Sequence, residues 1–231
     1  MSSNNIGMNL DRFRILTEGI TRDGVDCHTV GPEYGGGNAI ELESGLFLYS
    51  LVRRFNPITV IETGSHWGFA SSCIAAALAD MEESYPLGRT LTTIDVNAYD
   101  GRARRLWERI GVGHLVRQYI GDARGWEGDK DFPKKVVQSL CGRPIDFLWL
   151  DADHSAESVI AEWEQYAPCL NRQEAIVAFH DTRLDPRESE GIRQILTQNM
   201  HPLPEYRFHS YTPLRNFRGL DFLFLTNEVP A

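Results

Sequence analysis

The apolar positions of this chain alternate between two periods. Residues 58–63, "ITVIET", form a short β-branched run of the kind buried on both faces of a sheet. Behind it Phe69, Cys73, Ile74, Ala77, Leu78 and Met81 recur at helical spacing and predict a helix over 68–84. The same change of period then repeats. Strands are predicted at 90–95, 115–120, 145–151 and 175–181. Helices are predicted over 101–111, from Ala103, Leu106, Trp107 and Ile110, and around Phe132, Val136, Val137 and Leu140. Two more follow, around Ala156, Val159, Ile160, Trp163 and Ala167, and around Ile192, Ile195 and Leu196. Ahead of the alternation, Leu46, Tyr49, Leu51, Val52 and Phe55 predict a helix over 45–55, with Ser44 as its cap. Two runs at the end, 205–211 and 220–225, have only a short loop between them and predict an antiparallel hairpin. The pattern is that of an α/β protein: a doubly wound, mostly parallel seven-stranded sheet closed by a C-terminal antiparallel hairpin.

Residues 1–38 lack this rhythm and end in "GPEYGGGN" (31–38). They are expected to be a flexible segment, either a linker or, given the consecutive glycines, a lid. Residues 39–231 are expected to form the α/β domain. Composition adds exclusions. No apolar stretch is long enough to span a membrane, and the N-terminus has no basic region leading into an apolar one, so no secretory signal is expected. The net charge of −9 argues against a nucleic-acid partner, which needs a basic face. The four cysteines, Cys27, Cys73, Cys141 and Cys169, make no C-x-x-C pair. They fit reduced thiols in a cytoplasmic protein better than structural zinc.

In such a sheet, ligands bind beyond the carboxyl ends of the strands. The predicted strands end at Glu62, at Asp95, just before Asp122, at Asp151, and at His180 with Asp181. Five acids on one rim are more than solubility requires. In "ETGSHWG" (62–68), Gly64 and Gly68 let the backbone turn tightly at a helix N-terminus, where free N–H groups face a ligand. The motif is neither G-x-G-x-x-G nor a phosphate loop, and a purely structural tight turn accounts for it equally well. Asp95 stands where an acid accepts hydrogen bonds from a ribose diol, and Asp122 where an adenine edge would sit.

Together these positions resemble the class I S-adenosylmethionine-dependent methyltransferases, which have E-x-G-x-x-x-G after the first strand and acids after the second and third. The resemblance covers roughly residues 40–226 and implies the Rossmann-like methyltransferase fold. It implies that Gly64 and its neighbours Glu62, Ser65, His66 and Gly68 cradle the methionine part of the cofactor. Asp95 would hold the ribose, and Asp122 and Ala123 would border the adenine. Asp151 joins this set as well as the one below.

The stretch "LDADHSAESV" (150–159), followed by "AIVAFHDT" (175–182), resembles one branch of that family: metal-dependent O-methyltransferases acting on small hydroxylated molecules such as sugars, natural products and phenols. The chemistry is an in-line displacement, so the enzyme aligns a hydroxyl and removes its proton. The resemblance implies Mg²⁺ or another divalent cation on Asp151 and Asp181, and His154 as general base. Thr182, His180, a more distant acid or water would complete the ligand set. Blander readings stand beside these: Asp151 as a helix cap, His154 as a surface histidine at a helix start, and Asp153 as a capping or supporting residue. Two other functions share the pattern. One is an Fe²⁺-dependent hydroxylase-like relative, using the same acids and histidines. The other is a non-catalytic member that binds cofactor or partner. Related enzymes also form homo-oligomers. Substrate choice is expected to rest on the N-terminal segment and on loops 183–190 and 211–219.

Overall fold

The expected strands form where β-branched and aromatic residues cluster, and the helices where the apolar spacing widens. In this computed structural model, which describes residues 9–17, 40, 42–182, 189–197, 207–214 and 220–226, the strands are β1 (Thr59–Thr63), β2 (Thr90–Asp95), β3 (Val116–Ile120), β4 (Phe147–Leu150), β5 (Glu174–His180), β6 (Arg207–Leu214) and β7 (Leu220–Thr226). They make one seven-stranded sheet in the order β3-β2-β1-β4-β5-β7-β6. β1, β4 and β5 run parallel, with Ile61 level with Leu148 and Leu148 level with Val177; β7 is antiparallel to both β5 and β6. The helices are α1 (Leu10–Thr17), α2 (Leu42–Phe55), α3 (Phe69–Glu82), α4 (Arg102–Arg109), α5 (Phe132–Ser139), α6 (Ala156–Tyr166) and α7 (Ser189–Thr197).

By density of contacts the chain falls into two units. The helical unit takes the residues up to 58 together with 65–93 and 97–118. Its centre is α3, buried from Phe69 to Met81, with α2 pressed against it: a Cβ on Gly45 would lie 2.5 Å from the Phe69 ring. The sheet unit takes 59–64, 94–96 and 119 onward. Its core is built from Ile61, Leu148, Leu150, Trp163, Tyr166 and Phe179.

Three sequence expectations change. α2 begins at Leu42, so Ser44 lies buried inside the helix instead of capping it. α1 was not expected at all. Among its described side chains, Arg12 donates to Asp80 and Glu83, both at 2.6 Å, and to the Ile110 carbonyl at 3.2 Å. β6 continues to Leu214 through a register shift after Tyr211, which shortens the loop expected at 211–219. Pro213 is admitted there because β6 is an edge strand. The glycine run 31–38 and residues 183–188 of the predicted substrate loop lie outside the described residues. Among the described residues no helix is long and apolar enough to cross a membrane, and Cys73, Cys141 and Cys169 are free thiols.

Candidate active site

β4 is four buried apolar residues and leaves the sheet at Asp151, whose N–H donates to the Thr63 carbonyl at 3.1 Å. β5 ends at His180, and Asp181 takes a left-handed conformation, φ 57°, which a short acid tolerates better than a branched residue. Leu150 pairs in register with Phe179, so the next residues, Asp151 and His180, emerge side by side.

Four side chains meet at these strand ends. His180 Nδ1 lies 3.1 Å from Asp151 Oδ1 and 3.2 Å from Asp181 Oδ1. A carboxylate oxygen only accepts, so in the hydrogen bond to Asp151 Oδ1 it is Nδ1 that carries the hydrogen, with Asp181 Oδ1 close by. His180 is 1% exposed, and its ring sits 5.8 Å from that of Trp149. His154 Nε2 lies 3.1 Å from Asp181 Oδ2 and 4.0 Å from Asp151 Oδ1. At 24% exposed, His154 is the member of the four that solvent or a substrate reaches most readily. Two acids are thus bracketed by one sunken imidazole and one accessible imidazole. Ser155, not Asp151, occupies the N-cap position of α6. Asp153 Oδ1 accepts the Ser155 N–H at 3.1 Å.

One ligand atom from each of Asp151, His154 and Asp181 lies within 4.8 Å of the others, close enough for a single cation to bridge. Thr182 Oγ1, next along the chain, is buried without a hydrogen-bond partner. The donor set suits a divalent cation: carboxylate oxygens for Mg²⁺ or Mn²⁺, with an imidazole that also tolerates transition metals.

The predicted cofactor residues are distributed as follows. In the sheet unit, Gly64 has φ +81°, and a Cβ there would fall 2.0 Å from the Asp151 carbonyl oxygen. Only glycine lets the β1 turn approach the end of β4 so closely. Glu62 is fully buried on β1, level with Trp149. Asp95 is buried at the end of β2, and its carbonyl accepts the Gly121 N–H at 2.8 Å. Asp122 Oδ1 accepts the Arg124 N–H (3.0 Å) and Nε–H (2.7 Å), and Oδ2 accepts the N–H groups of Trp126 (3.0 Å) and Glu127 (2.9 Å). Burial works to raise this carboxyl, but the Arg124 and Glu127 hydrogen bonds hold it below the ordinary range. Asp122 therefore shapes its own loop. Ala123 beside it is buried, and its carbonyl accepts the Tyr166 hydroxyl at 3.2 Å. In the helical unit, the Gly68 N–H closes the turn onto the Ser65 carbonyl at 2.7 Å, and a Cβ on Gly68 would lie 2.7 Å from Ala103. Ser65 Oγ is buried without a hydrogen-bond partner. His66 has φ 44°, stacks on Trp67 and meets Tyr99 edge-on. A buried unpaired hydroxyl and a strained histidine in a glycine turn are what a ligand-binding loop carries.

Sequence reasoning missed Arg124. Nothing in "GDARGW" marks it; its importance lies in what folding brings against it. A groove of about 430 Å³ elsewhere, lined by Arg104, Trp107, Glu108, His114 and Gln118, contains no predicted site residue.

Residues 61–182, from β1 to the end of β5, match the family described as "Methyltransferase domain". The "Probable O-methyltransferase Rv1703c" of Mycobacterium tuberculosis is 27% identical over 114 residues, covering 49% of this chain and 45% of that protein. The "Uncharacterized protein y4gI" of Sinorhizobium fredii is 25% identical over 200 residues, 86% of this chain but 20% of that protein. The chain thus spans less than half the length of these two relatives. Among solved structures, the O-methyltransferase TomG from Streptomyces achromogenes, involved in tomaymycin synthesis and solved in complex with SAM, superposes with a TM-score of 0.65 at 21% identity over 87% of both chains. That likeness shows a shared fold. With the family match spanning more than half of its length and every residue of the strand-end cluster, this chain belongs to the methyltransferase-domain family.

Proposed function

We propose that this chain catalyses S-adenosylmethionine-dependent O-methylation of a small hydroxylated molecule, assisted by a divalent cation, Mg²⁺ first among the candidates. The observation that carries the reading is the cluster of Asp151, His154, Asp181 and His180 on adjacent strand ends. A cation there would lower the pKa of a substrate hydroxyl. Asp151 and Asp181 would hold it, with Thr182 Oγ1 as a further donor. His180 would orient Asp151 through Nδ1, with Asp181 beside it. His154, the accessible imidazole, would act as the general base for the hydroxyl proton. On the cofactor side, the Gly64 turn would receive the methionine part and Asp95 the ribose. Ala123 would border the adenine, in a loop whose shape Asp122 sets. Residues 39–231 would form the catalytic domain.

His154 Nε2 also lies within reach of the same cation as the two acids, which favours a second reading in which His154 is a ligand. One set of titrations separates the two. Calorimetry with S-adenosylmethionine, S-adenosylhomocysteine and NAD⁺, with and without Mg²⁺ or Mn²⁺, should show binding of the sulfur nucleotides only. Asp151→Ala and Asp181→Ala should abolish the metal site and leave nucleotide binding nearly intact. His154→Ala should keep the metal if His154 is the base and lose it if His154 is a ligand. Absence of binding by either sulfur nucleotide would overturn the proposal.

A further inference from the structure

Between the two loops assigned above, one to the cofactor and one to the metal, lies a single guanidinium. Arg124 follows the Asp122–Ala123 pair. Its Nε–H donates to Asp122 Oδ1 at 2.7 Å, and Nη2 lies 3.4 Å from Asp122 Oδ2. Its other arm, Nη1, reaches across to α6 and the turn before it, donating to Asp153 Oδ2 at 2.9 Å and to Ser158 Oγ at 3.1 Å. Asp153 stands between Asp151 and His154, and its second oxygen fixes the Ser155 N–H. The arginine side chain is 15% exposed, packs over the Trp126 ring at 4.7 Å and is therefore not a loose surface charge. Its planar fork is the reason two loops can be held at once; a lysine ammonium could serve one side or the other.

We propose that Arg124 is a positioning residue that couples cofactor binding to metal binding. It touches neither reacting group. It makes the shape of the 122–127 loop and the shape of the 151–155 turn depend on each other, through Asp122 on one side and Asp153 on the other. Such coupling is reciprocal: whatever the nucleotide does for the metal, the metal does for the nucleotide. The inference rests on the reading of Asp151 and Asp181 as metal-holding residues.

The test uses the full chain, S-adenosylhomocysteine as nucleotide and Mn²⁺ as a metal probe that can be followed by water-proton relaxation. In the wild type, saturating Mn²⁺ should tighten S-adenosylhomocysteine binding by at least about fivefold, and the nucleotide should tighten Mn²⁺ equally. Arg124→Ala should bring that factor close to one while each ligand still binds alone. Arg124→Lys should retain only a fraction of it. Asp153→Asn, at a side chain 53% exposed, should reproduce the loss without threatening the fold, so an Arg124 variant that does not fold leaves the question decidable. A merely structural arginine would shift the melting temperature and leave the factor unchanged. Should Mn²⁺ fail to bind the wild type, the metal reading itself falls. If Mn²⁺ and nucleotide both bind but show no mutual effect, or the effect survives both Arg124→Ala and Asp153→Asn, the role of Arg124 falls and the metal reading stands.

Discussion

Asp80 in the helical unit and Asp151 in the sheet unit are both carboxylates drawn below the surface, but they keep different company. Asp80 accepts from the Arg12 guanidinium and the Tyr49 hydroxyl, each at 2.6 Å, from the Asn9 N–H at 3.0 Å, and lies 3.4 Å from Arg53 Nη1. Close by, Arg89 is fully buried and donates to Glu82 (2.9 Å) and to the Tyr85 carbonyl (2.6 Å). A guanidinium is charged at every accessible pH, so each of these acids faces a permanent countercharge. Asp151 is paired instead with imidazoles, which carry no permanent charge and whose nitrogens can give way to a cation. Burial alone does not distinguish a structural acid from a functional one. The chemistry of the partner does.

The largest effect expected from breaking this contrast is on metal and turnover. Asp181→Asn should weaken Mn²⁺ binding by at least about 100-fold and lower methyl transfer on the order of 10³-fold. Its unfolding free energy should remain within about 1 kcal/mol of wild type, because an imidazole-paired acid is a poor source of stability. Asp80→Asn should do the reverse. Two arginines lose their shared anion, stability falls by about 3 kcal/mol, and Mn²⁺ affinity changes by less than about twofold. Urea unfolding and relaxation titration of the two variants give four numbers. A large stability loss in Asp181→Asn together with intact metal binding would erase the distinction.

The sequence revealed the sheet because its strands are buried on both faces and so read as short, bounded apolar runs: "FLWL" of β4 is the clearest. It revealed the rim because a parallel sheet sends every strand's carboxyl end the same way, which made Asp151 and Asp181 neighbours before any distance was known. Three things were beyond it. α1 makes its described side-chain contacts through Arg12, with Asp80 and Glu83 about 70 positions away, which no local pattern announces. The role of His180 depends on Nδ1 meeting Asp151 at the end of a neighbouring strand, 29 positions away. Asp122 reads as a residue bordering the adenine; that its carboxylate also accepts from Arg124, Trp126 and Glu127 within five residues is a loop closure that no propensity announces.

The same contrast should appear at the two ends of the pH scale. In the sheet unit, Glu162 is fully buried on α6, and its Oε2 accepts the Thr63 hydroxyl at 2.6 Å. Burial pushes its carboxyl from the ordinary 4.5 up to about 8, against the opposing pull of Thr63 and Arg124. The folded state therefore holds a proton that the unfolded chain has lost, and stability declines as pH rises from about 4.5 to about 8. Glu162→Gln keeps the hydrogen-bonding shape without the titration. Relative to wild type, it should gain on the order of 2–4 kcal/mol between pH 5 and pH 8.5 in urea unfolding. A wild-type curve flat over that range would mean that Glu162 is charged in the fold. The smallest effect lies at the acid end. Glu82 accepts the Gly88 N–H at 2.7 Å and the Arg89 side chain at 2.9 Å. Partial burial opposes its ionisation, yet these hydrogen bonds hold it at about 2. That contribution is complete above the ordinary glutamate value of 4.5 and disappears as pH falls towards 2. Because the carboxylate sits at the solvent boundary, Glu82→Gln should cost only about 1 kcal/mol at pH 6. The difference from wild type should close by pH 2, so the two unfolding curves converge on acidification. For Glu162→Gln they should separate on the alkaline side, where a buried carboxyl without its own guanidinium is forced to ionise.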